Sequence, residues 1–378
     1  MTSATLQPLA AYDIDQHRGF VPAHDPLARL PGRFDAWEAL IPEMSALIRT
    51  RRLRDALAAL PTLSTDNLAT EAERERALLL LTVFANGWVW SGQGPDLQIP
   101  APVAVPLCAL ATQLDRPPIV HYASMALHNW QRVDSARELS SDNARMQVQF
   151  LGGVDEDWFF IGSIGVELAG APLLPCVHAI ALASHHDDDA TLAGLLETLT
   201  AGMAPVLQAL ERMREWCDPH VFYHRVRPFL AGWPDPGVIY QGVSSLPQKH
   251  VGGSAGQSSL IQAIDAVLSI DHGDSMSGRY LRDVRRYMPG GHRRFVVEVG
   301  QASRARVRAA AGAPRLRQAY NAALDQVSRF RQAHIDLAVH YVVKPSGMAE
   351  RAKGTGGTVL ADFLGEAQRR TEAMKVAL

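Results

Sequence analysis

One residue whose side chain can bind a metal, His334, interrupts the apolar seam of the longest helical pattern in the chain, and an anion-binding residue, Arg331, stands close to it. Pro314 to Pro345 has no internal glycine or proline, and Leu316, Tyr320, Ala323, Val327, Phe330, Leu337 and Tyr341 recur at alternating steps of four and three. A histidine on such a seam is expected to be buried, and a buried imidazole needs partners for its ring nitrogens. A backbone carbonyl would serve, and so would a metal or haem iron. Arg331 lies one turn earlier on nearly the same face, where a cation also demands a partner. An anionic cofactor group such as a haem propionate would supply one. A second helical pattern, from Gln257 to about Ile270, carries Asp265 between Ile261 and Leu268 on its seam. A buried carboxylate is costly unless paired, so an Asp265–Arg331 pair is expected, with a solvent-exposed face as the alternative.

Other residue groups carry weaker signals. Gly252-Gly253-Ser254-Ala255-Gly256 matches the G-x-S-x-G elbow of serine hydrolases, but that elbow follows a strand in a parallel sheet, and SSLPQKHV precedes it here. The same small residues would equally let backbone approach a flat ligand, with Ser254 as a donor. Lys353-Gly354-Thr355-Gly356-Gly357-Thr358 reads as a lid or a linker. His185 to Asp189 resembles a metal cluster, yet adjacent loop residues rarely converge on one ion, and Asp188 or Asp189 fits an N-cap better. Phe159 and Ser163 share a helix face, consistent with packing and a back-bonded hydroxyl. Arg227, near Phe222 and Phe229, reads as a stacked or snorkelling side chain.

The elements that must position these residues are helical. Alanine, leucine and arginine recur at helical spacing and alternating β-branched runs are scarce, so the fold class is mainly α. Helices are expected over Asp35–Ala59, Thr70–Trp90, Ala104–Leu110, Ile119–Gln131, Asp155–Gly170, Asp188–Trp216 and Pro219–Gly232. Trp233 to Gly253 is rich in proline and glycine and reads as a long irregular connection. A chain of 378 residues is long for one core, so two packed units are expected, residues 1–145 and 146–378, with the connection at about 233–256. A net charge of -2 with 20% charged residues offers no general attraction to nucleic acid. Three distant cysteines, Cys108, Cys176 and Cys217, suit a reducing cytoplasm. The N-terminus lacks a signal-peptide pattern. The most apolar stretch, Ser163–Ser184, carries Glu167 and is cut by Pro172 and Pro175, so it reads as buried core, with no membrane partner expected.

Several blocks in order, HYASMALHNW, FFIGSIGVELAGA, FLAGW, GGSAGQSSLIQAID, LRDVRRYMPGGHRRF, RFRQAHIDL and AKGTGGT, give the chain a long resemblance to the indoleamine 2,3-dioxygenase family from about Tyr122 to Leu364. This resemblance implies a small N-terminal helical domain over a large all-helical haem-binding domain, joined by a long loop. It also implies haem b, ferrous when active, with His334 as proximal iron ligand and Asp265, Arg331, Gly253 and Ser254 around the haem. Tyr122, Met125, Ala126, Phe159, Ser163, Phe222, Arg227, Ser254, Ala255 and Thr355 then match substrate-pocket positions. In that alignment Arg227 takes the substrate carboxylate, Phe159 and Phe222 the indole ring, and Ser163 an assisting place beside it. The implied reaction adds both atoms of molecular oxygen across the indole C2=C3 bond of tryptophan or a related indoleamine, giving N-formylkynurenine, with an external reductant keeping the iron ferrous. A monooxygenase of the same fold acting on another indole, and a serine hydrolase using Ser254, are the alternatives. Met125 and Ala126 depart from the vertebrate pattern, and the loop from Val343 to Lys353 is short for the family.

Overall fold

The computed structural model describes residues 6–347, 353–355 and 359–378, with backbone only for Leu360 and Ala361. It is predominantly helical. In the N-terminal part, Asp35–Glu38 (α1), Met44–Arg49 (α2) and Leu53–Ala58 (α3) precede the long Glu71–Trp90 helix (α4) and Ala101–Gln113 (α5). Next come Val154–Gly170 (α6), Leu173–Ala183 (α7), Asp189–Glu211 (α8) and the single turn Pro219–Val221 (α9). Ser259–Val267 (α10), Met276–Val284 (α11), Gly290–Ala302 (α12) and Ala305–Ala311 (α13) lead to Pro314–Ala338 (α14), Lys344–Ser346 (α15) and Leu360–Glu372 (α16). Among the described residues, strand structure is limited to Gln98–Ile99 (β1) paired parallel with Ile239–Tyr240 (β4), and Trp130–Arg132 (β2) antiparallel to Ala144–Met146 (β3).

Local chemistry accounts for the long helices. Thr70 and Glu73 form a reciprocal capping box at the start of α4, a device worth about 1 kcal/mol. The run Ala77–Ala85 that follows is buried on every side, as expected of a helix apolar all round. Buried Asn86 donates to the Phe229 carbonyl at 2.8 Å and accepts from Val120 N at 3.1 Å, so α4 fixes two loops at once. Asp188 caps α8 by accepting from Thr191 N at 3.0 Å, the N-cap role the sequence suggested. By length and composition α8 could cross a membrane, but it packs against α6, α7 and α14. Pro314 starts α14, where its missing N–H costs nothing.

Four expectations are corrected. The pattern over Asp35–Ala59 breaks into α1, α2 and α3, because Pro42 ends one run and Arg51 takes a left-handed φ of 59° between the next two. The helix expected over Ile119–Gln131 shrinks to a π turn at Ala123–Leu127. Trp130–Arg132 is captured as β2, and Asn129 bonds both backbone groups of Val148. Pro219–Gly232 is one α turn followed by a π turn at Phe222–Val226 and a 3-10 turn at Arg227–Leu230, with the break at Pro228, which has no N–H for the carbonyl four residues back. Pro345 has the same effect after α14, where Val339–Val343 is a third π turn. The helices α11, α12 and α13 were not expected from periodicity.

Candidate functional site

A cavity of about 270 Å³ lies between α6, α10, α14 and the π turns, and it gathers every site residue named from the sequence. Tyr122, Met125 and Ala126 come from the first π turn and its entry, Phe222 from the second, and Tyr341 from the third. Such widened turns re-aim side chains and are frequent at functional sites. Phe159 and Ser163 face in from α6, while Gly253, Ser254 and Ala255 supply a backbone wall. Asp265, Arg331 and His334 line another side, and Arg227 and Thr355 complete the rim. Gly354 and Thr355 therefore reach the cavity; residues 348–352 and 356–358 of the expected lid lie outside the described residues.

His334 is half-buried, and among the described residues its ring makes no hydrogen bond. Burial, then the Arg331 charge, pushes its pKa down to about 4, so the imidazole is neutral with a free lone pair at pH 7. No group of three or more metal-binding side chains converges anywhere among the described residues. A lone imidazole suits an iron whose in-plane donors come with the cofactor, as in haem.

Beside it, Arg331 Nη2 donates to both Asp265 oxygens at 2.7 Å, and Nε donates to buried Thr371 Oγ1 at 2.8 Å. His272 Nε2 lies 3.0 Å from Asp265 Oδ2. Burial alone would raise the Asp265 pKa, but Arg331 and His272 outweigh it and hold the carboxyl below its usual value. The carboxylate–guanidinium pair expected from the two helical seams is present.

Arg227 is the opposite case, a cation with no carboxylate partner among the described residues. Its Nη2 donates to the Lys353 carbonyl, its buried Nε has no partner among the described residues, and its guanidinium lies 5.2 Å from the Tyr223 ring centroid. Burial lowers its pKa. A planar fork left short of acceptors at a cavity rim is suited to a ligand carboxylate.

Aromatic rings pack the interior. The Phe159 and Phe222 centroids are 4.4 Å apart, and Tyr341 meets Phe222 edge-on at 5.7 Å. Tyr341 is itself anchored by donating to the Cys217 carbonyl at 2.8 Å. Ser163 Oγ donates back to the Phe159 carbonyl at 3.2 Å. Such a pocket, mostly apolar with a few convergent polar groups, is what a flat organic ligand requires.

The glycine-rich wall is a turn, not a hydrolase elbow. Ser254 Oγ accepts from Gly256 N at 3.2 Å, no histidine bonds it among the described residues, and the segment that leads directly into it is not a strand. A Cβ on Gly252 would lie 2.0 Å from the Leu230 carbonyl oxygen, so this backbone crossing requires glycine. Thr355 Oγ1 donates to the Gly253 carbonyl at 2.5 Å, joining the rim segment to the wall. The His185–Asp189 cluster is likewise structural, with His185 Nε2 2.7 Å from the Ala302 carbonyl.

Sequence reasoning missed an inner layer. Glu167 was noted only as a charge in an apolar stretch, yet its Oε1 accepts from Tyr122 at 2.9 Å and from Ser258 at 2.7 Å. Its spacing of four from Ser163 was the available signal. Behind Tyr122 lies a second buried group, in which Glu75 pairs with Arg116, whose Nη1 is 3.4 Å from His121 Nε2. His121 also lines the cavity.

A family model described as "Indoleamine 2,3-dioxygenase" matches residues 8–374. The chain is 32% identical to "Indoleamine 2,3-dioxygenase 1" of Rattus norvegicus, over 94% of this chain and 93% of that protein. It is 33% identical to "Indoleamine 2,3-dioxygenase nanC" of Aspergillus nanangensis, over 98% of both. With "6-hydroxytryptophan 2,3-dioxygenase fscD" of Fusarium equiseti it shares 30% identity over 93% of this chain and 94% of that one.

Proposed function

The chain belongs to the indoleamine 2,3-dioxygenase family, whose members are dioxygenases, and from that premise we propose that it converts L-tryptophan or a close indoleamine to N-formylkynurenine, using haem b and molecular oxygen. The observation that carries this reading is the pairing, in one aromatic cavity, of a neutral imidazole at His334 with a guanidinium at Arg227, neither of which has an ion-pair partner among the described residues.

When bound and ferrous, haem supplies the oxygen chemistry that side chains do not offer. His334 would ligate the iron, and Arg331, held by Asp265, would face a propionate together with the Gly253–Ser254 backbone. Arg227 binds the substrate carboxylate and so sets the register of the indole. Phe159 and Phe222 hold the ring by apolar and aromatic contact. Ser163 stands beside them with its proton directed to the Phe159 carbonyl, a positioning group rather than a base. Holding the reactive double bond in one orientation and excluding water are the protein's contributions. An external reductant keeps the iron ferrous.

A ring-substituted tryptophan is the second reading. Ala126 and Met125 make a modest wall on the first π turn, and one relative bears the name 6-hydroxytryptophan 2,3-dioxygenase. Turnover of tryptophan and 6-hydroxytryptophan side by side separates the two. The main test is a haem spectrum of wild type beside His334→Ala, followed by anaerobic difference spectra with tryptophan. Loss of the wild-type axial signature in the variant and a tryptophan-induced shift in wild type are expected. An unchanged spectrum in His334→Ala, or no response to any indole, overturns the reading.

A further inference from the structure

Glu167 has no place in the chemistry described so far, yet it is bonded to two walls of the cavity. It sits one helical turn beyond Ser163 on α6 and is 1% exposed. Its Oε1 accepts from the Tyr122 hydroxyl at 2.9 Å and the Ser258 hydroxyl at 2.7 Å, and both donors belong to residues that line the cavity. Its Oε2 is buried and has no partner among the described residues. One carboxyl thus joins α6, the first π turn and the start of α10.

We propose that Glu167 is a proton-coupled positioning residue of the substrate pocket, holding Tyr122 and Ser258 by their hydroxyls and taking up a proton when substrate closes over the cavity. This rests on the reading that the cavity takes an indole amino acid.

The physical case starts from the unequal oxygens. In the ionised form Oε1 is satisfied by two donors, but Oε2 leaves anionic charge bare in an apolar interior, which is expensive. Protonation removes that charge while the carbonyl oxygen keeps both hydroxyl bonds, so the arrangement survives in the neutral form. Burial accordingly raises the Glu167 pKa, to about 7, against the lowering effect of the Ser258 and Tyr122 hydrogen bonds. Tyr122, the titratable group facing it, is pushed up by burial and by Glu167 and stays protonated. Charged side chains and histidines on the elements packed around it are Asp142 on the 3-10 turn Ser141–Asn143, Arg145 on β3, Asp189, Glu197 and Glu211 on α8, Arg212 and Arg214 just beyond it, and His224 and Arg225 on the second π turn, with His121 before the first and Asp265 on α10. None of them bonds to Glu167 or shifts it. Substrate entry expels water from the cavity beside Tyr122 and Ser258, and further desolvation favours the neutral carboxyl still more. By linkage, binding draws a proton from solvent and affinity falls as pH rises through neutrality.

The test uses haem-loaded ferrous protein without oxygen, titrated with L-tryptophan calorimetrically at pH 7 in phosphate and in Tris. The binding heats should differ by the buffers' ionisation heats in proportion to an uptake of up to about half a proton, because a group with a pKa of about 7 is already half protonated at this pH. Across pH 6 to 9, Kd should rise by up to about tenfold per pH unit above the transition. In Glu167→Gln, whose amide oxygen accepts the same two hydroxyls, the buffer difference should vanish and the pH dependence flatten. Equal heats in the two buffers, or undiminished uptake in Glu167→Gln, overturn the proposal. Should that variant fail to fold, infrared difference spectra of wild type decide: a neutral-carboxyl band that grows on tryptophan addition supports the proposal, and its absence overturns it. Complete lack of tryptophan binding instead overturns the functional reading, and the linkage with it.

Discussion

The Asp265 carboxylate receives Arg331 Nη2 on both oxygens at 2.7 Å, and Arg331 stands three residues before His334 on the same helix. Their side chains are 8% and 11% exposed, so the pair is largely dry. Removing one partner of a buried pair typically costs about 3–5 kcal/mol, because the other charge is left uncompensated. Asp265→Ala should therefore lower the unfolding free energy by about that amount in urea titrations and speed haem loss to a scavenger protein. Asp265→Asn, which keeps one acceptor oxygen, should fall between.

Arg227 makes a test of substrate register. A charge-assisted contact is worth about 1.5–3 kcal/mol, so Arg227→Ala should raise KM for tryptophan by about one to two orders of magnitude. Arg227→Lys should recover only part of the loss, because an ammonium cannot present the planar fork. Indole itself, which lacks a carboxylate, should be bound equally well by wild type and variants. Steady-state kinetics and indole difference spectra measure both.

Acid stability follows from the buried group behind Tyr122. Burial pushes His121 and His292 down to about 3, so between about pH 6.5 and 3 the unfolded chain binds protons that the fold refuses. Stability should thus decline from about pH 6.5 downward. Glu75, whose burial is outweighed by Arg116, is held at about 2; its contribution is present above about pH 4.5 and is lost as pH falls through 2. Glu167 works in the other direction, its raised pKa giving a contribution that is full below about pH 4.5 and lost as pH rises through about 7. A Tm series from pH 8 to 4 should show the acid decline, less steep in His292→Phe. A flat profile from 6.5 to 4.5 contradicts the neutral-histidine assignment.

Adjacent glycines in the cavity wall should respond differently. At Gly252 an added methyl would meet the Leu230 carbonyl oxygen at 2.0 Å and Gly232 N at 2.5 Å, contacts that only backbone movement can relieve. At Gly253 the nearest atom, Val120 Cγ1, is at 3.5 Å, an ordinary contact. Gly252→Ala should cost about 1–3 kcal/mol or more by thermal denaturation, and Gly253→Ala much less.

How far the sequence revealed this site depends on which residues followed a regular period. His334, Arg331 and Asp265 are polar residues on otherwise apolar α-helical seams, and a 3.6-residue repeat exposes such exceptions. The other pocket residues were placed by motif resemblance, because they sit where regular periods fail. Met125, Ala126 and Phe222 lie on π turns, whose wider spacing shifts side chains off any helical template. Pro42 and Arg51 dissolved the expected first helix for a similar local reason. α11 has only nine residues, with Arg279 and Arg282 among few apolar positions, too short a run to establish a repeat, so it escaped notice although Tyr280 and Leu281 reach the cavity. The Glu167 arrangement depends on contacts 45 and 91 residues distant in sequence, which no local pattern encodes.

Oxygen incorporation tests the central claim most directly. Haem-loaded, reduced protein supplied with L-tryptophan under oxygen-18 gas should form N-formylkynurenine in which unhydrolysed product carries two heavy oxygen atoms by mass spectrometry. Product with one heavy atom would make the protein a monooxygenase of the same fold. No indole oxidation by fully ferrous, haem-loaded protein would contradict the assignment of the His334 and Arg227 cavity as a tryptophan dioxygenase site.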